Sequence, residues 1–115
     1  MSEIYIPKDL DDCIEELINK ILINEDYLAL KNGTEKQMAK QHHLLGRHLR
    51  NDWGLWEDSR LAKWFNEKGI FHADDMSGII LTSFWRQVNS ELIKLEEQIE
   101  YYQNYWKEKD NEGRN

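Results

Sequence analysis

A chain of 115 residues with one proline and six glycines is of single-domain length, long enough to bury roughly two-thirds of the surface its unfolded form exposes. Hydrophobic residues at 40% and charged residues at 32% exclude a disordered chain, and no apolar run approaches the roughly 20 residues of a membrane span. The formal net charge of -7 argues against a nucleic-acid binder, which neutralises phosphates with clustered Lys and Arg, and suits either solubility or steering toward a basic partner.

The start, Met1 to Pro7, lacks a basic segment followed by an apolar stretch, so no signal peptide and a cytoplasmic location are expected. Pro7 disfavours helix at Ile6 and makes residues 1–8 an extended lead-in. From about Asp9 to Ile23, Leu10, Ile14, Leu17, Ile18, Ile21 and Leu22 share one helical face. Asp9, Asp11 and Asp12 fall in its first turn, where carboxylates complement the helix dipole; this accounts for them without a metal. Cys13, the single cysteine, is expected as a small core filler.

Tyr27 to Lys31 predicts a short helix that stops at Asn32-Gly33. Thr34 with Gln37 has the form of a capping box and opens a helix to about Asn51, with Met38, His42, Leu45 and Leu49 inward, helped by Ala39 and Leu44. Gly46 in its middle costs about 1 kcal/mol against alanine, a cost that a close helix crossing would offset. Trp53-Gly54-Leu55-Trp56 predicts a buried connection. Asp58 or Ser59 caps the next short helix, to about Lys68, with Leu61, Trp64 and Phe65 inward and Gly69 at its C′ position. Met76, Ile79, Ile80, Leu81, Phe84 and Trp85 cover most of the circumference of a helix from about Asp74 to Val88, which should be the central one. Beyond Asn89-Ser90, Leu92, Leu95, Ile99, Tyr102 and Trp106 form the stripe of a last helix. No period-two alternation persists over a strand length, so the chain is expected to be an all-α, compact bundle of five or six helices in one domain, residues 1–107, with a frayed polar tail at 108–115.

Residues 49–85 hold four of the five tryptophans and most of the residues able to carry chemistry. His72-Ala73-Asp74-Asp75-Met76-Ser77 places an imidazole, two carboxylates and a hydroxyl just before an apolar helix, the composition of a hydrolytic site. Capping explains the same run: Asp74 as N-cap, Asp75 against the dipole, Ser77 bonded to a free N–H; that account is preferred. Arg50, Arg60 and Arg86 are the candidate partners for these carboxylates, and Arg50 can also stack on Trp53 or Trp56. His42 and His43 point about 100° apart on a helix, and His43 and His48 are poorly matched, so no metal is expected; nor is a cofactor, since no phosphate-binding or nucleophile motif occurs. The candidate binding residues are therefore Arg50, Asn51, Trp53, Trp56, His72, Asp74, Asp75 and Ser77, with no catalytic residue assigned.

The segments Ile6 to Asp12, Arg50 to Trp56, Ser59 to Phe65, Gly69 to Ser77, Ile79 to Leu81 and Leu95 to Ile99 resemble the pattern of a small bacterial domain family of unknown function. Its central motifs are Arg-Asn-x-Trp-Gly-Leu-Trp and Gly-Ile-x-His-Pro-Asp-Asp-Met-Ser; the departure is Ala73 where the pattern has proline, a residue suited to the first helical turn. The resemblance implies a free-standing helical domain and adds weight to the polar residues between the tryptophans, but implies no activity.

The leading expectation is a non-catalytic module that docks a basic protein partner, with an immunity or inhibitor role as its most concrete form. The alternative is a small-ligand binder or hydrolytic enzyme using Arg50, His72, Asp74 and Asp75 in a tryptophan-lined pocket. Self-association through Leu92, Leu95, Ile99, Tyr102 and Trp106 is a further expectation.

Overall fold

The computed structural model describes residues 4–21 and 25–112 and contains six helices: α1 Leu10–Ile21, α2 Glu25–Asn32, α3 Glu35–Asp52, α4 Arg60–Glu67, α5 Ala73–Val88 and α6 Leu95–Glu112. No strand occurs among the described residues, and no helix there is long and apolar enough to cross a membrane. The protein is an all-α bundle.

Apolar residues on every side of α5 require neighbours on every side, and α1, α2, α3, α4 and α6 all pack on it. Its most extensive contact is with α3. Ile79, Ile80, Leu81 and Phe84 are wholly buried, as are Leu17 of α1 and Leu61 and Phe65 of α4. Cys13 lies in the same core, and burial pushes its thiol well above the usual range, so it stays protonated packing material. Gly46 sits where α3 crosses α5: a Cβ there would meet Ser77 Oγ of α5 at 3.2 Å, besides Arg50 Nη1 and His42 Cδ2 of α3 itself at 2.9 and 3.0 Å. The glycine at mid-helix is thus explained by close approach of the two helices.

Helix ends follow the side chains that cap them. Thr34 and Gln37 form the reciprocal capping box at α3, Ser59 Oγ accepts from Ala62 N at α4, and Asp9 Oδ1 accepts from Asp12 N at α1. Gly69 follows α4 with φ +84, the left-handed conformation that ends a helix cheaply only at glycine. The Trp85 indole donates to Gly33 O over 2.9 Å and ties the turn between α2 and α3 to the central helix.

Several expected placements differ. Leu44 and Ile18 are exposed, because each sits at the margin of its helix's apolar stripe, and Trp64 is only half-buried, with Lys68 Nζ 4.6 Å from its ring centroid. Leu92 lies in the exposed connection before α6, where Ser90 and Lys94 adopt positive φ, and not on the helix. α6 continues to Glu112, into the stretch read as a polar tail. The expected inward placement of Leu22 and the helix end at Ile23 lie outside the described residues, as do the side chains of Ile21 and Ala39.

Two substitutions separate the contributions of cap and core. Thr34→Ala should cost about 1 kcal/mol, and Phe84→Ala about 3 to 5 kcal/mol, both read from urea denaturation midpoints; equal costs would contradict the burial described.

Candidate functional site

The first turn of α5 is the chemically uneven part of the core. His72 occupies the N-cap position but makes no side-chain cap bond, and Ala73 is the first helical residue, the position that favours proline. Asp74 is therefore not the N-cap, in contrast to the capping account. Its carboxylate pairs with a different element: Arg50 Nε of α3 lies 3.3 Å from Asp74 Oδ1. The approach is off the hydrogen-bonding line, and this buried Nε has no hydrogen-bond partner among the described residues, so the attraction is one of charge. With Asp74 largely exposed, solvent screens it to about 0–1 kcal/mol.

The firmer bond of Arg50 is to Ser77. Nη1 donates to Ser77 Oγ over 2.9 Å, and that hydroxyl in turn donates to Asp74 O over 3.0 Å. Ser77 is 0% exposed, and His42 Nε2 stands 3.4 Å from the same oxygen. A serine so enclosed and so bonded holds α3 to α5; it offers no accessible nucleophile. On its outer side the Arg50 guanidinium lies 5.7 Å from the Trp56 ring centroid, within cation–π range.

From the other side α6 closes on the same turn. The Trp106 indole donates to Asp75 Oδ2 over 2.8 Å and stacks on the His72 ring at 3.8 Å between centroids, 18° from parallel. Tyr102 reaches α5 at Gly78, where an added Cβ would sit 2.6 Å from its hydroxyl oxygen. The stacked pair is flanked by two grooves that share His72, Asp75, Tyr102 and Trp106. One, of about 410 Å³, continues along Gly69 to Phe71 and toward Lys107 and Asp110; the other, of about 330 Å³, adds Asp74, Tyr101 and Tyr105.

Burial sets the titration here. It pushes the Asp75 carboxyl up, against the opposing effect of the Trp106 hydrogen bond, and pushes the Tyr102 hydroxyl up, helped by Asp75. It pushes His42 down, with the Arg50 charge acting in the same direction, so the imidazole is kept neutral between the helices.

Residues 6–88 match a family described as a domain of unknown function, DUF6794. The chain belongs to this family. The DUF6794 span takes in α1 to α5 and therefore Arg50, His72, Asp74, Asp75 and Ser77, while α6 with Tyr102 and Trp106 lies beyond its end. No curated protein and no solved structure matches the chain.

The candidate residues are thus divided by the DUF6794 fold. Arg50, Asp74 and Ser77 meet at the crossing, and His72 and Asp75 line the grooves. Trp56 is 62% exposed beside Arg50, whereas Trp53 is 3% exposed and belongs to the core. Asn51 is exposed in the last turn of α3 and lines neither groove. Arg60 and Arg86 serve elsewhere, Arg60 donating to Ile6 O and Arg86 to Ile93 O and Glu35. The tryptophan that lines the grooves is Trp106, and with Tyr101, Tyr102 and Tyr105 it was legible only as an amphipathic stripe with an aromatic surplus. Leu95, Ile99 and Tyr102 of that stripe pack on the core.

The two titrations oppose each other. Asp75, with its folded pKa raised above the ordinary 3.8, favours the fold when protonated, a contribution lost as pH rises through its folded value. His42, with its folded pKa below the ordinary 6.5, favours the fold when neutral, and that contribution is lost as pH falls from 6.5 through its folded value. Asp75→Asn should therefore gain on the wild type as pH rises through the carboxylate range, and His42→Gln as pH falls below 6.5, measured by denaturant midpoints across pH. Differences that do not vary with pH would contradict both assignments.

Proposed function

We propose that the protein is a non-catalytic, cytoplasmic, bacterial docking module that binds a basic protein partner, in the manner of an immunity or inhibitor protein. The observation that carries this reading is the acidic, aromatic face at the meeting of α5 and α6. Phe71, 69% exposed, and the exposed Tyr101 and Tyr105 stand around the His72–Trp106 stack, with Asp74 and Asp110 among them, Asp75 buried behind the stack, and Lys107 and Lys109 on the α6 side. Tyrosine and tryptophan supply rigid contact area at interfaces, and the overall charge of -7 steers a basic surface toward it. The bacterial origin follows the resemblance of the Arg50–Trp56 and Gly69–Ser77 motifs to their family pattern.

A second reading, a small-ligand binder or hydrolytic enzyme, draws on His72 and the desolvated Asp75 lining both grooves. The buried Ser77, already bonded to Arg50, weighs against a serine nucleophile in such an enzyme.

The docking reading is tested by pull-down from a bacterial lysate at low and moderate salt, using the wild type beside the Phe71→Ala/Tyr105→Ala variant. Both side chains are exposed, so the double variant should stay folded. A basic partner should be recovered by the wild type, less at moderate salt, and lost with the variant. Recovery of nothing at either salt, or of the same proteins by both chains, would contradict the reading.

A further inference from the structure

We propose that the groove between the first turn of α5 and the outer face of α6 is a subsite for one organic cation, foremost the guanidinium head of an arginine side chain. The walls are aromatic: Tyr101, Tyr102, Tyr105 and Trp106 from α6, faced by His72. The remaining lining residues are the two carboxylates Asp74 and Asp75; the nearest cations stand at its margin, Lys109 Nζ 5.7 Å from the Tyr105 ring centroid and Arg50 Nε 3.3 Å from Asp74 Oδ1, and leave the Tyr101 and Trp106 rings without one among the described residues. Aromatic faces and carboxylates together favour a positive ligand, because the ring quadrupole and the full negative charge act in the same sense. A planar guanidinium also stacks on such rings, which an ammonium cannot do.

At about 330 Å³ the groove has room for a guanidinium head together with its alkyl stem. The carboxylates are placed to respond. Asp74 is 74% exposed even though Oδ1 faces Arg50, and Asp75 gives Oδ2 to the Trp106 indole. Asp75 is desolvated without an adjacent cation bonded to it, so an arriving positive charge offsets the cost of keeping it ionised. The other groove is less suited, since a lysine, Lys107, stands in its lining.

For its biological ligand the inference rests on the docking reading, in which the arginine belongs to the basic partner. The chemistry itself is tested without that partner. The full chain is titrated with n-butylguanidinium and, separately, with its neutral analogue n-butylurea, while the Trp106 indole N–H is followed by 1H–15N NMR and assigned with Trp106→Phe. Butylguanidinium should give a saturable shift of this resonance and butylurea none. Asp74→Asn should weaken the binding about two- to fivefold, as expected for one partly exposed charge pair. Tyr105→Ala should weaken it as well, and both replaced side chains are exposed enough to leave the fold intact.

No saturable shift, an equal response to butylurea, or affinity unchanged in both variants would overturn the subsite. The two failures are distinguishable. A partner captured in a Phe71- and Tyr105-dependent manner with no butylguanidinium response removes the subsite and leaves the docking face; a saturable, Asp74-dependent response with no partner captured removes the docking reading and leaves the subsite.

Discussion

Arg50 reaches the first turn of α5 because the backbones of α3 and α5 run close together, with glycine at 46 on one and at 78 on the other. Any side chain at Gly46 would press on Ser77, His42 and Arg50 itself, and any at Gly78 on His42 and Tyr102. The space a Cβ would need is filled by Arg50 Nη1, the His42 ring, Ser77 Oγ and the Tyr102 hydroxyl. Of these, Arg50 and Ser77 form a chain to the Asp74 carbonyl that ties the first turn of α5 to α3. A buried polar cluster of this kind is tolerable only when its members bond one another, and Ser77 does so twice over.

The rest of the face is built around that tie. With Ser77 turned toward α3, Asp75 turns toward α6, where it meets an indole N–H, a donor that bonds a carboxylate without neutralising it. His72, relieved of any capping bond, lies flat on the same indole. α6 is thus joined to the body by Leu95, Ile99 and Tyr102 on the core, by Gln98 and Gln103 donating to Ser83 Oγ and Lys68 O, and by Trp106 on the polar start of α5. Between these attachments the helix presents its tyrosines beside Asp74 and Asp75, and the two grooves are the gaps left on either side of the stack. The result is a shallow aromatic relief, with Asp74 exposed at its edge and Asp75 buried behind the stack.

Much of the fold was legible because periodicity and capping are local. Thr34 with Gln37, Ser59 and Gly69 each announce a helix boundary through bonds or dihedrals that involve only a few neighbouring residues. The all-round apolar pattern of residues 76–85 likewise predicts a central helix without knowledge of its neighbours. The site was legible in part for the same reason. Arg50, Asp74 and Trp56 were nominated as partners, and the structure brings Arg50 to both of the others. What escaped was long-range. Nothing local distinguishes Trp106, which bonds Asp75, from the core tryptophans, because its role depends on where α6 lands 31 residues away. The N-cap was misplaced by two residues for a related reason: Asp74 has the chemistry to cap, but it lies inside the first turn with its carboxylate beside Arg50 of α3, and His72 takes the N-cap position without a side-chain bond.

The measurement that bears most directly on this account is hydrogen exchange of the Trp106 indole N–H in the full chain, read together with nuclear Overhauser contacts to the His72 ring. A seated α6 predicts an indole proton that exchanges far more slowly than a solvated one and a cross-peak between the two rings. Exchange at the rate of a free indole, with no cross-peak to His72, would show that α6 does not close on α5 and that the aromatic, acidic face does not exist in solution.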